Sequence, residues 1–122
     1  MRSEHLYLQD ISDACRAIGD FVAGISEETF LQTDLIQSAV IQKFTVIGEA
    51  ASKISSSTRD EHVEIDWKTL VAFRNILVHV YFETTLERLW VATQDVEELR
   101  EDVDAIIRFR YADTGTSAAE DH

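Results

Sequence analysis

Polar side chains interrupt an apolar run of ten residues, FRNILVHVYF, between Phe73 and Phe82. On a helix, Asn75 and His79 would share a face one turn apart, and Arg74 would lie on the adjoining face. If His79 falls at the C-terminal end of that helix, exposed carbonyls favour its charged form and Arg74 opposes it. That balance would let His79 titrate near neutral pH, as an acid–base catalyst must.

The spacing of Arg74 and His79 is a weak signal by itself, because short patterns of common residues recur by chance. The alternative is a structural pair, in which a histidine caps carbonyls at a helix end beside a surface arginine. Tyr81 also has two interpretations: a functional hydroxyl, or a ring stacked on the next helix with its hydroxyl in water. These residues alone leave both alternatives open.

The composition narrows the class of protein. The 122 residues suit one domain, and 45% hydrophobic with 28% charged residues is typical of a globular chain. Asp and Glu number 23 against 11 Lys and Arg, a formal net charge of −12. Because phosphate contacts need basic side chains, any RNA must be held by a small local patch. Alternatively, this negative charge would suit the binding of a basic protein partner.

The single cysteine, Cys15, excludes an internal disulfide and a cysteine-rich metal site, and we expect it in the core. We expect no metal or cofactor, because no cluster of His, Cys and carboxylates has ligand spacing. The N-terminal MRSEHLYLQD lacks the apolar segment of a signal peptide, and no apolar run reaches the length of a membrane span. These features predict a cytoplasmic protein.

Apolar periodicity, with no proline in the chain, predicts an all-α antiparallel bundle of four main helices and one short helix. The first helix should end near Gly24, and Ser26 should cap the short helix. The domain should span residues 1–110, followed by a flexible polar tail at residues 111–122.

Three further capping residues are predicted for the remaining main helices. Asp34 should cap the second, which gives way to a loop at residues 55–62 because that stretch is polar. Asp66 should cap the third. Thr84 or Thr85 should cap the fourth, whose apolar spacing continues for about six turns.

The second main helix contains IGEAA at residues 47–51, where small side chains would let a neighbouring helix approach closely. Gly48 inside a helix costs about 1 kcal/mol relative to alanine, which indicates a packing reason for it. Glu49 could lie at such a contact or face solvent, and the sequence favours neither.

Most other candidate residues have structural interpretations. His5, His62 and His122 are expected in solvent, and Trp67 and Trp90 in the core or at a dimer contact. The basic residues outside the Arg74 region are too scattered to form an RNA track, namely Lys43, Lys53 and Arg59. The acidic run of the last helix is expected to be a solvated face, namely Glu97, Glu98, Glu101, Asp102 and Asp104.

Taken together, the longer pattern Arg74-Asn75-x3-His79-x-Tyr81 resembles the HEPN family, and within it the HepT toxins of HEPN/MNT toxin–antitoxin pairs. The resemblance covers roughly residues 5 to 108 and departs at Phe73, where the branch more often has a small or flexible residue. It rests on four segments in the same order and spacing: IGEAA, EIDW (64–67), RNILVHVYF and LERLW (86–90).

This resemblance implies a metal-independent endoribonuclease toxin that acts as a two-fold dimer, in a type II- or type VII-like toxin–antitoxin pair. Paired His79 residues would act as acid and base, and paired Arg74 residues would hold the scissile phosphate. Asn75 would support His79 or the phosphate. The expected product carries a 2′,3′-cyclic phosphate.

The resemblance also implies a partner, an MNT-type nucleotidyltransferase antitoxin that neutralises the toxin by transferring AMP to Tyr81. Phosphates added there would occupy Arg74 and repel an RNA backbone. The alternative is a non-catalytic dimer that uses the same cleft to bind the nucleotidyltransferase or a nucleotide, and the net charge of −12 favours that alternative.

Overall fold

The computed structural model describes the backbone of residues 2–78 and 85–120, and the side chains of residues 2–77 and 85–111. Within these ranges every element of regular secondary structure is a helix, and the all-α prediction is confirmed. The helices are α1 (Glu4–Val22), α2 (Glu27–Leu31), α3 (Asp34–Ala51), α4 (Ser56–Glu61), α5 (Trp67–Ala72), α6 (Ile76–Val78), α7 (Leu86–Gln94) and α8 (Val96–Glu120), with a 3₁₀ turn (Phe73–Asn75) between α5 and α6.

The core lies where α1 packs between α3 and α8. Apolar side chains at helical spacing are fully buried there, among them Leu8, Ile11 and Ile18 of α1, Val40, Phe44 and Ile47 of α3, and Val103 and Ile106 of α8. The segment from α5 to α6 lies against α3, and α2 lies against α7. A helical bundle therefore carries residues 73–78 on the outside of α3.

Several predicted helix ends are confirmed by local geometry. Gly24 has a positive φ of 75° just after α1, a conformation that glycine adopts without steric strain. The Ser26, Asp66 and Thr85 side chains each accept a hydrogen bond from the backbone N–H three residues on. The prediction for Asp34 is wrong by one residue: Thr33 occupies the N-cap position, and Asp34 is the first residue of α3.

The stretch predicted as a loop at residues 55–62 forms helix α4, so that prediction is wrong. The Ser55 hydroxyl accepts a hydrogen bond from the Thr58 N–H, and both residues also donate to the Glu4 carboxylate of α1. Arg59 donates to the Ile54 and Ala51 carbonyls at the end of α3. Polar residues thus order this segment through contacts that composition does not reveal.

The predicted fourth main helix is divided in two at Asp95, so the prediction of an unbroken helix is wrong. Asp95 ends α7 with its N–H bonded to the Ala92 carbonyl at 3.1 Å, and α8 begins at the next residue. The buried residues Leu89, Val96 and Val103 keep a spacing of seven across this break. The interruption therefore leaves no trace in the apolar pattern. The helical backbone of α8 runs to Glu120, and the division into a domain of residues 1–110 and a flexible tail stays a prediction.

Glu4 should contribute stability that depends on pH. Partial burial works to raise its pKa, but hydrogen bonds from Thr58 and Ser55 outweigh burial and hold the pKa below its ordinary value. A lowered carboxyl pKa stabilises the fold above the unfolded-state pKa, and this stability is lost as the pH falls through the folded-state pKa. Since glutamine mimics the protonated acid, Glu4→Gln should lower the free energy of unfolding at pH 7 by on the order of 1 kcal/mol, allowing for solvent screening.

Urea unfolding of both proteins at pH 7 and pH 3 measures this effect. The difference between wild type and Glu4→Gln should shrink towards zero at pH 3. Glu28→Gln, at an exposed position of α2, is the matched control and should show little difference at either pH. A deficit in Glu4→Gln that is equally large at pH 3 would contradict the assignment to the charged carboxylate.

Candidate functional site

Arg74 and Asn75 lie next to each other on the 3₁₀ turn Phe73–Asn75, and both are exposed. The turn follows α5 without a break, since the Phe73 N–H bonds to carbonyls of Leu70 and Val71. His79 and Tyr81 lie outside the described residues, so their convergence with Arg74 stays a prediction. Of the four predicted site residues, the structure therefore describes Arg74 and Asn75, which are neighbours in the chain, on one exposed turn.

The third main helix was predicted as one α-helix, and here the structure differs. The chain is helical from Trp67 to Val78, but residues 73–75 are wound more tightly as a 3₁₀ turn. A 3₁₀ turn rotates about 120° per residue instead of 100°. The prediction assumed a rotation of 100° per residue from Arg74 to His79, and this value is wrong for the step from Arg74 to Asn75.

Gly48 of α3 determines where the turn lies. A Cβ atom at position 48 would stand 2.3 Å from the Arg74 backbone N and 2.7 Å from the Phe73 carbonyl carbon. Contacts this short do not occur in proteins, so the turn can approach α3 only because position 48 is glycine. The predicted packing reason for Gly48 is confirmed, and its neighbour is the backbone of the predicted catalytic arginine.

Apolar side chains fix the same turn from either side. The Phe73 ring packs on the Phe44 ring of α3 with centroids 4.8 Å apart, and Leu70 and Ile76 are buried. With these side chains turned inward, Arg74 and Asn75 face outward. The role of Phe44 beneath the turn is not evident from the sequence, because its partner Phe73 lies 29 residues away in the chain.

A groove of about 560 Å³, lined by both polar and apolar residues, lies between α1 and α3 and reaches α6 at Leu77. Tyr7 of α1, Val46 and Glu49 of α3, and Leu77 are among the residues that line it. Leu77 is 51% exposed, although it lies between the buried Ile76 and the predicted site residue His79. Glu49 lines this groove and is exposed. Of the two interpretations of Glu49, a helix contact or a solvent-facing side chain, the structure therefore favours the second.

The remaining candidates have structural roles. Cys15 is 1% exposed, as predicted for a core residue, and burial together with the charge of Asp104 raises the pKa of its thiol to about 12. Trp67 is buried, and its indole N–H donates to the His62 carbonyl. His62 was expected in solvent, but only 12% of its side chain is exposed, since it packs beside Glu64 and Arg110.

Other findings bear on ligands and membranes. Across the part of the chain that the structure describes, no three residues among His, Cys, Asp and Glu are grouped so that they could hold a metal ion. In the same residues, none of the helices combines the length and the apolar character of a membrane span.

The chain matches the family described as Ribonuclease HepT-like over residues 11–106. It belongs to this HepT-like family, as its resemblance to HEPN toxins predicted.

Three relatives show how evenly the similarity covers the chain. A Methanocaldococcus jannaschii protein with a provisional RNase name is 30% identical over 86% of this chain and 97% of its own length. The probable ribonuclease HepT of Thermococcus cleftensis is 35% identical over 81% of this chain and 91% of its own length. A Caldanaerobacter subterraneus protein with a provisional RNase name is 28% identical over 88% of this chain and 97% of its own length. No solved structure matches the chain.

Proposed function

We propose that this protein is a metal-independent endoribonuclease that cleaves RNA in the cleft of a two-fold dimer. The observation that carries the proposal is the exposed 3₁₀ turn with Arg74 and Asn75, which is locked onto α3 by the contact at Gly48. The backbone of this turn is fixed and the Arg74 side chain is exposed, so its guanidinium is available to bind a phosphate diester through two parallel hydrogen bonds. Membership of the HepT-like family supports the same activity.

The reaction needs a base, an acid and a cation. One His79 takes the proton of the ribose 2′-hydroxyl, whose oxygen attacks the adjacent phosphorus. The bond from phosphorus to the 5′-oxygen breaks, and a second His79 protonates that oxygen as it leaves. Arg74 neutralises the extra negative charge on the phosphorane, and Asn75 orients His79 or the phosphate. The products are a 2′,3′-cyclic phosphate and a 5′-hydroxyl.

Two histidines at one phosphate require two subunits, since each chain supplies one motif histidine. The exposure of Leu77 supports such pairing, because this apolar side chain is half exposed in a groove and follows Arg74 by three residues. In a C₂ dimer the same patch meets its own copy, so a contact made through Leu77 of one subunit would be made through Leu77 of both. Dimer formation is therefore part of the active-site proposal.

We propose further that the enzyme is the toxin of a toxin–antitoxin pair, with an MNT-type nucleotidyltransferase as antitoxin. In this transfer the Tyr81 hydroxyl would attack the α-phosphate of ATP and release pyrophosphate, and the attached AMP would add negative charge seven residues after Arg74, where it competes with the RNA phosphate. With the partner and ATP present, wild type should gain one AMP per chain, whereas Tyr81→Phe should gain none and should stay toxic.

RNA cleavage in the presence of EDTA tests the central proposal. Purified wild-type protein should cut a single-stranded RNA under these conditions and leave 2′,3′-cyclic phosphate ends, which mass spectrometry of the fragments identifies. An RNA with 2′-deoxyribose at the cleaved position should resist, because its attacking hydroxyl is missing. A dimeric preparation that leaves RNA intact would exclude the nuclease.

The net charge of −12 favours one competing function, a non-catalytic dimer that binds the nucleotidyltransferase or a nucleotide in the same cleft. This alternative predicts saturable nucleotide or partner binding that depends on Arg74, with no change in RNA. The EDTA experiment separates the two functions, because only the nuclease produces cyclic phosphate ends.

A further inference from the structure

A second groove, of about 530 Å³, lies between α5 and the corner where α7 meets α8. It reaches the Arg74 turn at Phe73. Its lining includes several apolar side chains, namely Phe44, Leu70, Phe73, Val91 and Leu99. Val91 is 59% exposed in this surface, so the groove leaves apolar area in water. An uncovered apolar groove with a polar rim is the usual form of a protein-binding site.

The rim of this groove is strongly acidic. Five carboxylates line it, Glu64, Asp66, Asp95, Glu98 and Asp102, together with the guanidinium of Arg88. Arg100, which lies on the same helix as Glu98, pairs with Glu97 and Asp104 instead. The groove therefore combines an apolar floor with a rim of net negative charge.

We propose that this groove binds a basic, amphipathic helical segment of a protein partner. Apolar side chains on one face of such a helix would cover Val91 and Phe73, and lysines or arginines on its flanks would meet the rim carboxylates. Phe73 precedes Arg74 directly, so the bound segment would touch the turn that presents the predicted catalytic arginine.

Other occupants fit the groove less well. RNA would be repelled by five carboxylates around one guanidinium. A second copy of this chain carries a net charge of −12 and would bring like charge to the rim. A divalent cation needs clustered ligands, and the described residues contain no such group. A basic protein segment is the occupant that charge complementarity selects.

A synthetic peptide can test this inference on the full-length protein. The probe is a fluorescein-labelled helix of about 14 residues, with leucines at i, i+3, i+4 and i+7 and lysines on the flanks. Wild type should bind it saturably, as measured by fluorescence anisotropy. The double variant Glu98→Lys/Asp102→Lys should weaken binding by about 10-fold or more, because it reverses the rim charge that the flanking lysines meet.

The matched control is Glu97→Lys/Glu101→Lys, which makes the same charge change at the same spacing on exposed positions of α8 outside the groove. It should weaken binding clearly less than the rim variant does at 0.15 M salt, since Glu97 and Glu101 neighbour the rim but do not line the groove. A peptide with glutamine in place of each leucine should lose affinity for wild type, and Val91→Ser should weaken binding of the leucine peptide.

Several results would overturn the inference. Equal weakening in both double variants would mean non-specific attraction to an acidic protein, and the absence of saturable binding to wild type would exclude the site. A change of oligomeric mass in Glu98→Lys/Asp102→Lys, measured by sedimentation, would assign the groove to a second copy instead. Displacement of the peptide by Ca²⁺ beyond the effect of NaCl at equal ionic strength would assign it to a cation. Circular dichroism of the same variants separates these outcomes from misfolding. RNA cleavage by the same variants separates them from failure of the nuclease proposal.

Discussion

Replacement of His79 by alanine should reduce RNA cleavage by about 100-fold or more, because a general acid–base group contributes 10²–10⁴-fold to such a step. Arg74→Ala should cause a loss of about the same size, since it removes the charge that stabilises the phosphorane. Both losses should appear in the single-turnover rate on a defined RNA, and both variants should fail to arrest growth when expressed without a partner.

Arg108→Ala is the control for Arg74→Ala, because it removes an exposed arginine of α8 that lies outside the predicted site. It should leave the cleavage rate within about 3-fold of wild type. Unchanged cleavage or unchanged toxicity in His79→Ala would reject the acid–base role of that side chain, whatever the activity of the wild-type protein.

Mixed dimers distinguish a shared cleft from two independent sites. If each phosphate needs a histidine from both subunits, a dimer with one His79→Ala chain is inactive. After subunit exchange, activity should then fall with the square of the wild-type fraction. A linear fall would mean that each subunit cleaves RNA alone, which contradicts the two-histidine mechanism.

Gly48→Ala should destabilise the fold and abolish cleavage together. The new Cβ would lie 2.3 Å from the Arg74 N and 2.7 Å from the Phe73 carbonyl carbon, and both neighbours are backbone atoms that cannot rotate away. Overpacking of this kind costs about 1–3 kcal/mol, partly offset by the better helix propensity of alanine. Since the clash is relieved only by moving the turn, Arg74 would leave its position even in molecules that stay folded.

Gly19→Ala is a matched control in a helix interior, because a Cβ at position 19 meets nothing within 4 Å. Alanine there should raise the free energy of unfolding by up to about 1 kcal/mol through helix propensity alone. Urea unfolding followed by tryptophan fluorescence measures both variants, and the two substitutions should change stability in opposite directions. A Gly48→Ala protein with wild-type stability and activity would refute the close approach of the turn to α3.

Much of the fold could be predicted because it depends on neighbours in the sequence. Ser26, Asp66 and Thr85 cap helices through backbone groups three residues away, and Gly24 ends α1 through its own φ. The all-helical class follows from apolar spacing in the same way. These features need no knowledge of distant contacts, so the sequence alone was sufficient for them.

The predictions that are wrong have one of two causes. Either the segment is ordered by a residue far away in the sequence, or the same apolar pattern fits two different structures. Helix α4 depends on Glu4, more than 50 residues before it, so a polar stretch that reads as a loop is ordered. The break at Asp95 leaves the spacing of Leu89, Val96 and Val103 intact, so periodicity does not detect it. Polar composition and apolar period are local quantities, and neither reports tertiary hydrogen bonds.

For the candidate site, the sequence by itself determined the chemistry: Arg74, Asn75, His79 and Tyr81 are the side chains available, and Gly48 marks a close approach. Only the tertiary structure decided that this approach is made by the backbone of Phe73 and Arg74. The reason is steric. Whether a glycine faces solvent or another segment of the same chain depends on which segment packs against it. Here the contact joins Gly48 to Arg74, 26 positions further along the chain.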